Sequence, residues 1–76
     1  MGDTLYSMRR TLVSSSNIRS VGYDATLAIL EVEFTSGDVY RYYGVPQHLY
    51  DQFMSASSKG SFLSDYIRPS YRYQKQ

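Results

Sequence analysis

The stretch ILEVEFTSGDVYRYY, residues 29–43, constrains the fold more than any other part of the chain. Apolar and polar residues alternate through LEVEF, the period of a half-buried β-strand. Leu30, Val32 and Phe34 fall on one face with Ala28, while Ile29, Glu31 and Glu33 fall on the other. TSGD interrupts the pattern, and VYRYY resumes it, so the two runs form a hairpin. The parity of the turn decides which residues are buried. A two-residue loop would set Arg41 opposite Val32 in the core, and an unpaired buried arginine is costly. A three-residue loop, Thr35-Ser36-Gly37 with Gly37 in the left-handed region, avoids this. Val32 then opposes Tyr40, Leu30 opposes Tyr42, and Arg41 meets Glu31 on the outer face as a cross-strand pair.

The elements around this hairpin follow from local signals. Ile18, Val21 and Tyr23 indicate a first strand over about 18–23. Asp24-Ala25-Thr26 makes a turn in which the Asp24 carboxylate takes a backbone N–H two residues on. Pro46 suits the first turn of a helix. Leu49, Phe53 and Ala56 recur at helical spacing, widened by Tyr50 and Met54. Gly60 fits a left-handed helix end, with Lys59 favourable at the negative end of the dipole. Ser61 caps a second, short helix carrying Phe62, Leu63, Tyr66 and Ile67, which Arg68-Pro69 ends. LVSSS, ahead of the first strand, reads either as an extra strand or as an entry loop.

The predicted fold is α+β: a three-stranded antiparallel meander packed against one amphipathic helix plus a short second helix. The alternative is a partly open SH3-like barrel that takes residues 5–13 as another strand. The predicted core is Leu30, Val32, Phe34, Tyr40, Tyr42, Leu49 and Phe53. The chain divides into an N-terminal segment 1–12, flexible or laid over the sheet, a domain over 13–68, and a basic aromatic tail over 69–76.

Composition narrows the function classes. At 76 residues the chain makes one domain. It has no cysteine and a single histidine, His48, so neither a disulfide scaffold nor a zinc ligand set is expected. Nine tyrosines and three phenylalanines supply the core mass instead. No apolar run approaches the roughly 20 residues of a membrane span, and the N-terminus lacks the pattern of a signal peptide. A soluble, cytoplasmic protein with no membrane partner is the expectation. No enzyme is expected: His48 sits in a first helical turn as a surface residue, no serine has a base beside it, and SSKG runs in the wrong order for a P-loop. Nor is a cofactor or metal expected.

Net charge is +1, yet its distribution is uneven. Arg9, Arg10 and Arg19 lie in the first third, and Lys59, Arg68, Arg72 and Lys75 near the end, around an acidic middle with Asp24, Glu31, Glu33, Asp38 and Asp51. Basic ends of this kind suit an anionic partner. The candidate nucleic-acid-binding set is Lys59, Arg68, Tyr71, Arg72, Tyr73 and Lys75, joined by Arg9 and Arg10. Cations would hold phosphates, and Tyr71 or Tyr73 would stack on a base. The sheet's outer face carries two glutamates around Arg41 and one tyrosine, Tyr43, a poor platform for RNA. It reads equally as a surface for a homodimer or another protein, or as a face covered by the N-terminal segment.

Three ordered blocks resemble a known family. Val13, Ser15, Ser16 and Ile18 are followed by Gly22-Tyr23-Asp24. Leu30, Val32, Phe34, Gly37, Tyr40, Tyr42, Val45 and Pro46 form the second block, and Ala56, Ser58, Lys59, Gly60 and Phe62 the third. With the basic, tyrosine-bearing IRPSYRY, the pattern is similar to the KTSC domain over about residues 13–73. That family occurs at the C-terminus of some lysyl-tRNA synthetases and as small stand-alone bacterial proteins. At Leu63 and Ser64 the chain departs from the pattern, which has a second aromatic and often an asparagine there. The synthetase association of the family suggests RNA as a partner, which with the residues above gives the expectation of a small non-catalytic binding module that takes RNA at a basic, aromatic patch near the C-terminus. The alternative is a domain that binds itself or another protein.

Overall fold

The fold was read from a computed structural model that describes residues 8–76. Its frame is one antiparallel sheet of five strands in the order β1-β2-β3-β4-β5. They are β1 (Thr11–Leu12), β2 (Ile18–Asp24), β3 (Ile29–Phe34), β4 (Val39–Tyr43) and β5 (Arg72–Lys75). The class is the predicted α+β, but with five strands instead of three. Short loops join the first four strands. Between β4 and β5 the chain passes through α1 (Gln47–Ser55) and α2 (Lys59–Phe62), and α2 continues as a π-helical turn over Leu63–Ile67. Among the described residues β1 and β5 form the two edges of an open sheet.

The central hairpin has the odd-loop register. Val32 pairs with Tyr40, Leu30 with Tyr42 and Glu31 with Arg41. Gly37 has φ +98°, its N–H donates to the Phe34 carbonyl at 2.9 Å, and the Phe34 N–H donates to Asp38 O at 2.8 Å. At the other end of β3 the turn is wider than expected: the Asp24 carboxylate accepts from the N–H of Leu27, three residues on. The carbonyl of Ala28 then accepts from the N–H groups of both Gly44 and Val45.

The inner face of the sheet meets the helices. Ile18, Val21, Leu30, Val32, Tyr42, Val45, Phe53, Leu63 and Ile67 form the buried core. Fully burying an aliphatic or aromatic side chain of this kind contributes about 1.5–3 kcal/mol. Of the predicted core, Leu30, Val32, Tyr42 and Phe53 are buried, while Phe34, Tyr40 and Leu49 are half-buried and pack against it. Tyr23 stacks on Tyr50 at 4.4 Å between centroids, and its hydroxyl donates to the Val45 carbonyl. That bond ties β2 to the chain entering α1.

Several local expectations need correction. The 69–76 segment is not a free tail, because Arg72–Lys75 pairs with β4 as β5. The backbone edge of β4 offers the donors and acceptors that such a segment needs. Gly60 does not end a helix in the left-handed region. α1 closes at Ala56 in an extended conformation, and Gly60 lies inside α2. The reason is space: a Cβ at Gly60 would fall 2.7 Å from Asn17 Oδ1. Ser58, not Ser61, caps α2, accepting from the Ser61 N–H. Arg68 is still helical ahead of Pro69, and Ser70 and Tyr71 close the turn onto the Ile67 carbonyl.

Of the N-terminal segment 1–12, residues 1–7 lie outside the described residues, and so does part of the strand that the barrel reading needed. Residues 8–10 cross the outer face of the sheet at Gly22. A Cβ there would fall 2.6 Å from the Arg9 carbonyl oxygen and 2.9 Å from Met8 Cγ. Only glycine admits this crossing. Thr11 and Leu12 then pair with Val21 and Ser20 as β1.

Candidate functional site

The helical segment after α1 presents one line of residues to the sheet. Gly60, Ser64 and Arg68 recur every fourth position, and the π-helical turn, closed by the Arg68 N–H on the Leu63 carbonyl at 2.8 Å, carries the line to Arg68. π-turns within helices occur frequently at functional sites. Opposite this line stand Tyr40 and Tyr42 of β4, Phe34 of β3 and Asn17 of the loop before β2. Together with Leu63 these residues enclose a cleft of about 190 Å³. Ser15 holds the loop in place: its hydroxyl accepts from the N–H groups of Asn17 and Ile18 and donates to Asn17 Oδ1 at 3.2 Å. The Asn17 carbonyl accepts from Thr35 N–H, fixing the loop to the β3–β4 turn.

Tyrosines form the wall at the β5 edge. Tyr73 pairs with Tyr42 across the strands, and its ring lies 5.5 Å from that of Tyr42 and 5.9 Å from that of Tyr40. Arg68 sits over Tyr73 with its guanidinium carbon 5.7 Å from the ring centroid, a cation–π arrangement. A hydrogen bond from Arg68 to the Tyr73 side chain raises the guanidinium pKa further, so the charge is permanent. Tyr42 is 2% exposed. Burial pushes its hydroxyl up to about 12, partly opposed by Arg68. Its folded pKa thus lies above the unfolded value of about 10. The protonated hydroxyl favours the fold below about pH 10, and that share of stability is lost as pH rises toward 12. The thermal midpoint of Tyr42→Phe is therefore expected to fall less steeply than the wild type's between pH 9 and pH 11. Equal slopes would contradict this origin.

The candidate binding residues do not form one patch. Arg68, Tyr73 and Lys75 share the inner face at the β5 edge, where Lys75 Nζ lies 3.4 Å from Asp38. Arg72 is on the outer face, opposite Tyr43. Tyr71 packs against the core instead of standing free. Lys59 donates to the Ala56 carbonyl at the end of α1. Arg10 is on the outer face, 3.3 Å from Glu31, and Arg9 passes over Gly22 on that same side, so neither joins Arg68. Sequence reasoning missed Asn17 and Ser64. The four-residue spacing of Gly60, Ser64 and Arg68 was a signal for Ser64; nothing in the sequence pointed to Asn17.

On the outer face, Glu31 is only 5% exposed. Its carboxylate meets Arg41 Nε at 2.7 Å and Arg10 at 3.3 Å. Beside it, the Ser20 hydroxyl donates to Glu33 at 2.7 Å. Segment 8–10 thus takes up part of the surface considered for a homodimer. His48 is an exposed residue of α1. Among the described residues no group of three or more His, Cys, Asp or Glu side chains is placed to hold a metal, and no helix is long and apolar enough to cross a membrane.

The fold and cleft define a class: a small open-sheet α+β domain with helices on one face and a tyrosine- and arginine-lined cleft at their junction. The family model of the KTSC domain matches residues 14–71, and the chain belongs to that family. It is similar to a KTSC domain protein of Yersinia pestis whose crystal structure superposes with a TM-score of 0.87 at 41% identity, covering 92% of this chain and 99% of that one. An uncharacterized protein of Stutzerimonas stutzeri is 43% identical over 67 residues, 87% of this chain and 94% of that protein. A lysine–tRNA ligase of Trichormus variabilis is 33% identical over 60 residues, 79% of this chain but 11% of the ligase.

Proposed function

We propose that the chain is a small, non-catalytic binding module that takes RNA at the Arg68–Tyr73 edge. The cleft carries this reading. Its lining includes a fixed cation, two tyrosines and two further polar side chains, and no carboxylate. Tyr73, 40% exposed, stands at its margin. A cation beside partly exposed aromatic surface is what a single strand uses for phosphate contact and base stacking. The relatives named lysine–tRNA ligase carry a matching segment, and that name places them on an RNA substrate. The outer face, with Glu31 and Glu33 at its centre, has no such character.

Titration of the full chain with a labelled single-stranded RNA at two salt concentrations tests the proposal. Binding is expected at low salt and is expected to weaken as salt rises, because each phosphate contact releases counterions; with few contacts the slope is expected to be shallow. Absence of binding at low salt would sink it.

A further inference from the structure

The shape and chemistry of the cleft distinguish one part of an RNA strand from another. At about 190 Å³ it is smaller than the roughly 300–1,000 Å³ of a pocket for a drug-sized ligand. At one end Gly60 lets the Asn17 amide come against α2 where a side chain would hold it off, while Asn17, Ser64 and Arg68 stay exposed to a ligand. The polar lining is Asn17, Tyr40, Tyr42, Ser64 and Arg68, and the only charge in it is the Arg68 guanidinium. Asn17 Oδ1 already accepts from Ser15, which leaves the amide N–H₂ of that side chain for a ligand. The Tyr42 hydroxyl stays protonated at neutral pH. The cleft therefore offers donors around one fixed cation.

We infer that the cleft receives the terminal phosphate of an RNA strand, held by Arg68, Ser64 and Asn17, and not an internal phosphodiester. This rests on the RNA reading above and narrows it. A terminal phosphate has three free oxygens and a charge of about −1.5 to −2 at neutral pH. An internal diester has two free oxygens and a single charge, so it offers Arg68, Ser64 and Asn17 less to hold. Charge-assisted hydrogen bonds from a guanidinium are the strongest kind available to such a group.

The test uses oligoribonucleotides of one sequence that differ only in a terminal phosphate, with the fluorophore at the opposite end. Both the 5′ and the 3′ pair are titrated against the full chain by anisotropy. A preference of about tenfold or more for the phosphorylated strand of one pair is expected, the size of hydrogen bonds to a charged group. Arg68→Gln is expected to erase the preference. Arg72→Gln, on the opposite face, is expected to keep it. Arg68 is exposed and its variant gives up only the contact with Tyr73, so it should stay folded with a thermal midpoint lowered by a few degrees at most, which is checked alongside. Equal binding of phosphorylated and unphosphorylated strands at both ends overturns the inference and leaves the RNA reading standing. A preference that survives both Arg68→Gln and Ser64→Ala also overturns it, because the phosphate then sits elsewhere. Failure of every strand to bind at low salt overturns the RNA reading, and the inference with it.

Discussion

Tyr42→Ala is expected to destabilise the domain by about 3–5 kcal/mol, the cost of removing a large side chain from a packed core. For a domain of this size that shifts the thermal midpoint down by at least about 12 °C, and it removes much of the 5–15 kcal/mol typical of native proteins. Tyr42 pairs with Leu30 on one side and Tyr73 on the other, and it is in ring contact with Tyr40 and Tyr73. Its removal therefore loosens the third, fourth and fifth strands together. Thermal melts followed by circular dichroism measure the effect, and Tyr42→Phe is the control. The phenylalanine keeps the ring and should cost far less. If alanine were tolerated as well as phenylalanine, Tyr42 would not be a core residue.

The second large effect is expected at Glu31. Its carboxylate is almost fully enclosed and faces two arginines. Removing one member of a buried ion pair costs about 3–5 kcal/mol, because the partner charge is left in a poor solvent. The Arg41 side chain is 19% exposed and can turn partly toward water, so the lower end, about 3 kcal/mol, is expected for Glu31→Met. Glu31→Met combined with Arg41→Met should recover most of the loss, since an apolar pair of similar volume is often as stable as the ion pair it replaces. A double-mutant cycle in urea measures the coupling. Strictly additive effects would show that the pair contributes nothing beyond two separate side chains.

The central hairpin was legible in the sequence because two independent constraints agreed there. Alternation named the faces of β3 and β4, and the cost of burying Arg41 chose the loop length. β5 was not legible for a physical reason. YRYQK offers one apolar side chain per turn of the pleat, and every residue of the strand is exposed, so the segment gains its place from backbone pairing and from the contacts of Tyr73. Gly60 misled because glycine has two uses, a positive φ and a missing side chain. Its position after an apolar stripe suggested the first, while the close approach of Asn17 required the second. The cleft was illegible for a related reason. Asn17 and Ser64 are ordinary polar residues far apart in the chain, and only the packing of α2 on the sheet brings them together. The expected positive patch failed as a unit because alternation along β5 sends Arg72 and Tyr73 to opposite faces, a rule that applied to the tail once it was a strand.

The connection between β4 and β5 also carries a consequence for the order of assembly. Strands one to four pair with their neighbours through short loops, and such local contacts form early because little chain entropy opposes them. β5 returns to β4 only after both helices have been laid down, which makes its pairing the most non-local contact of the sheet. The Tyr73 wall of the cleft is thus expected to be completed last on the way to the native state and to open first on the way out, which native-state hydrogen exchange of the Arg72–Lys75 amides would measure. A ligand gripping Arg68 and Tyr73 would latch this final strand, and occupancy of the site would then be coupled to closure of the sheet.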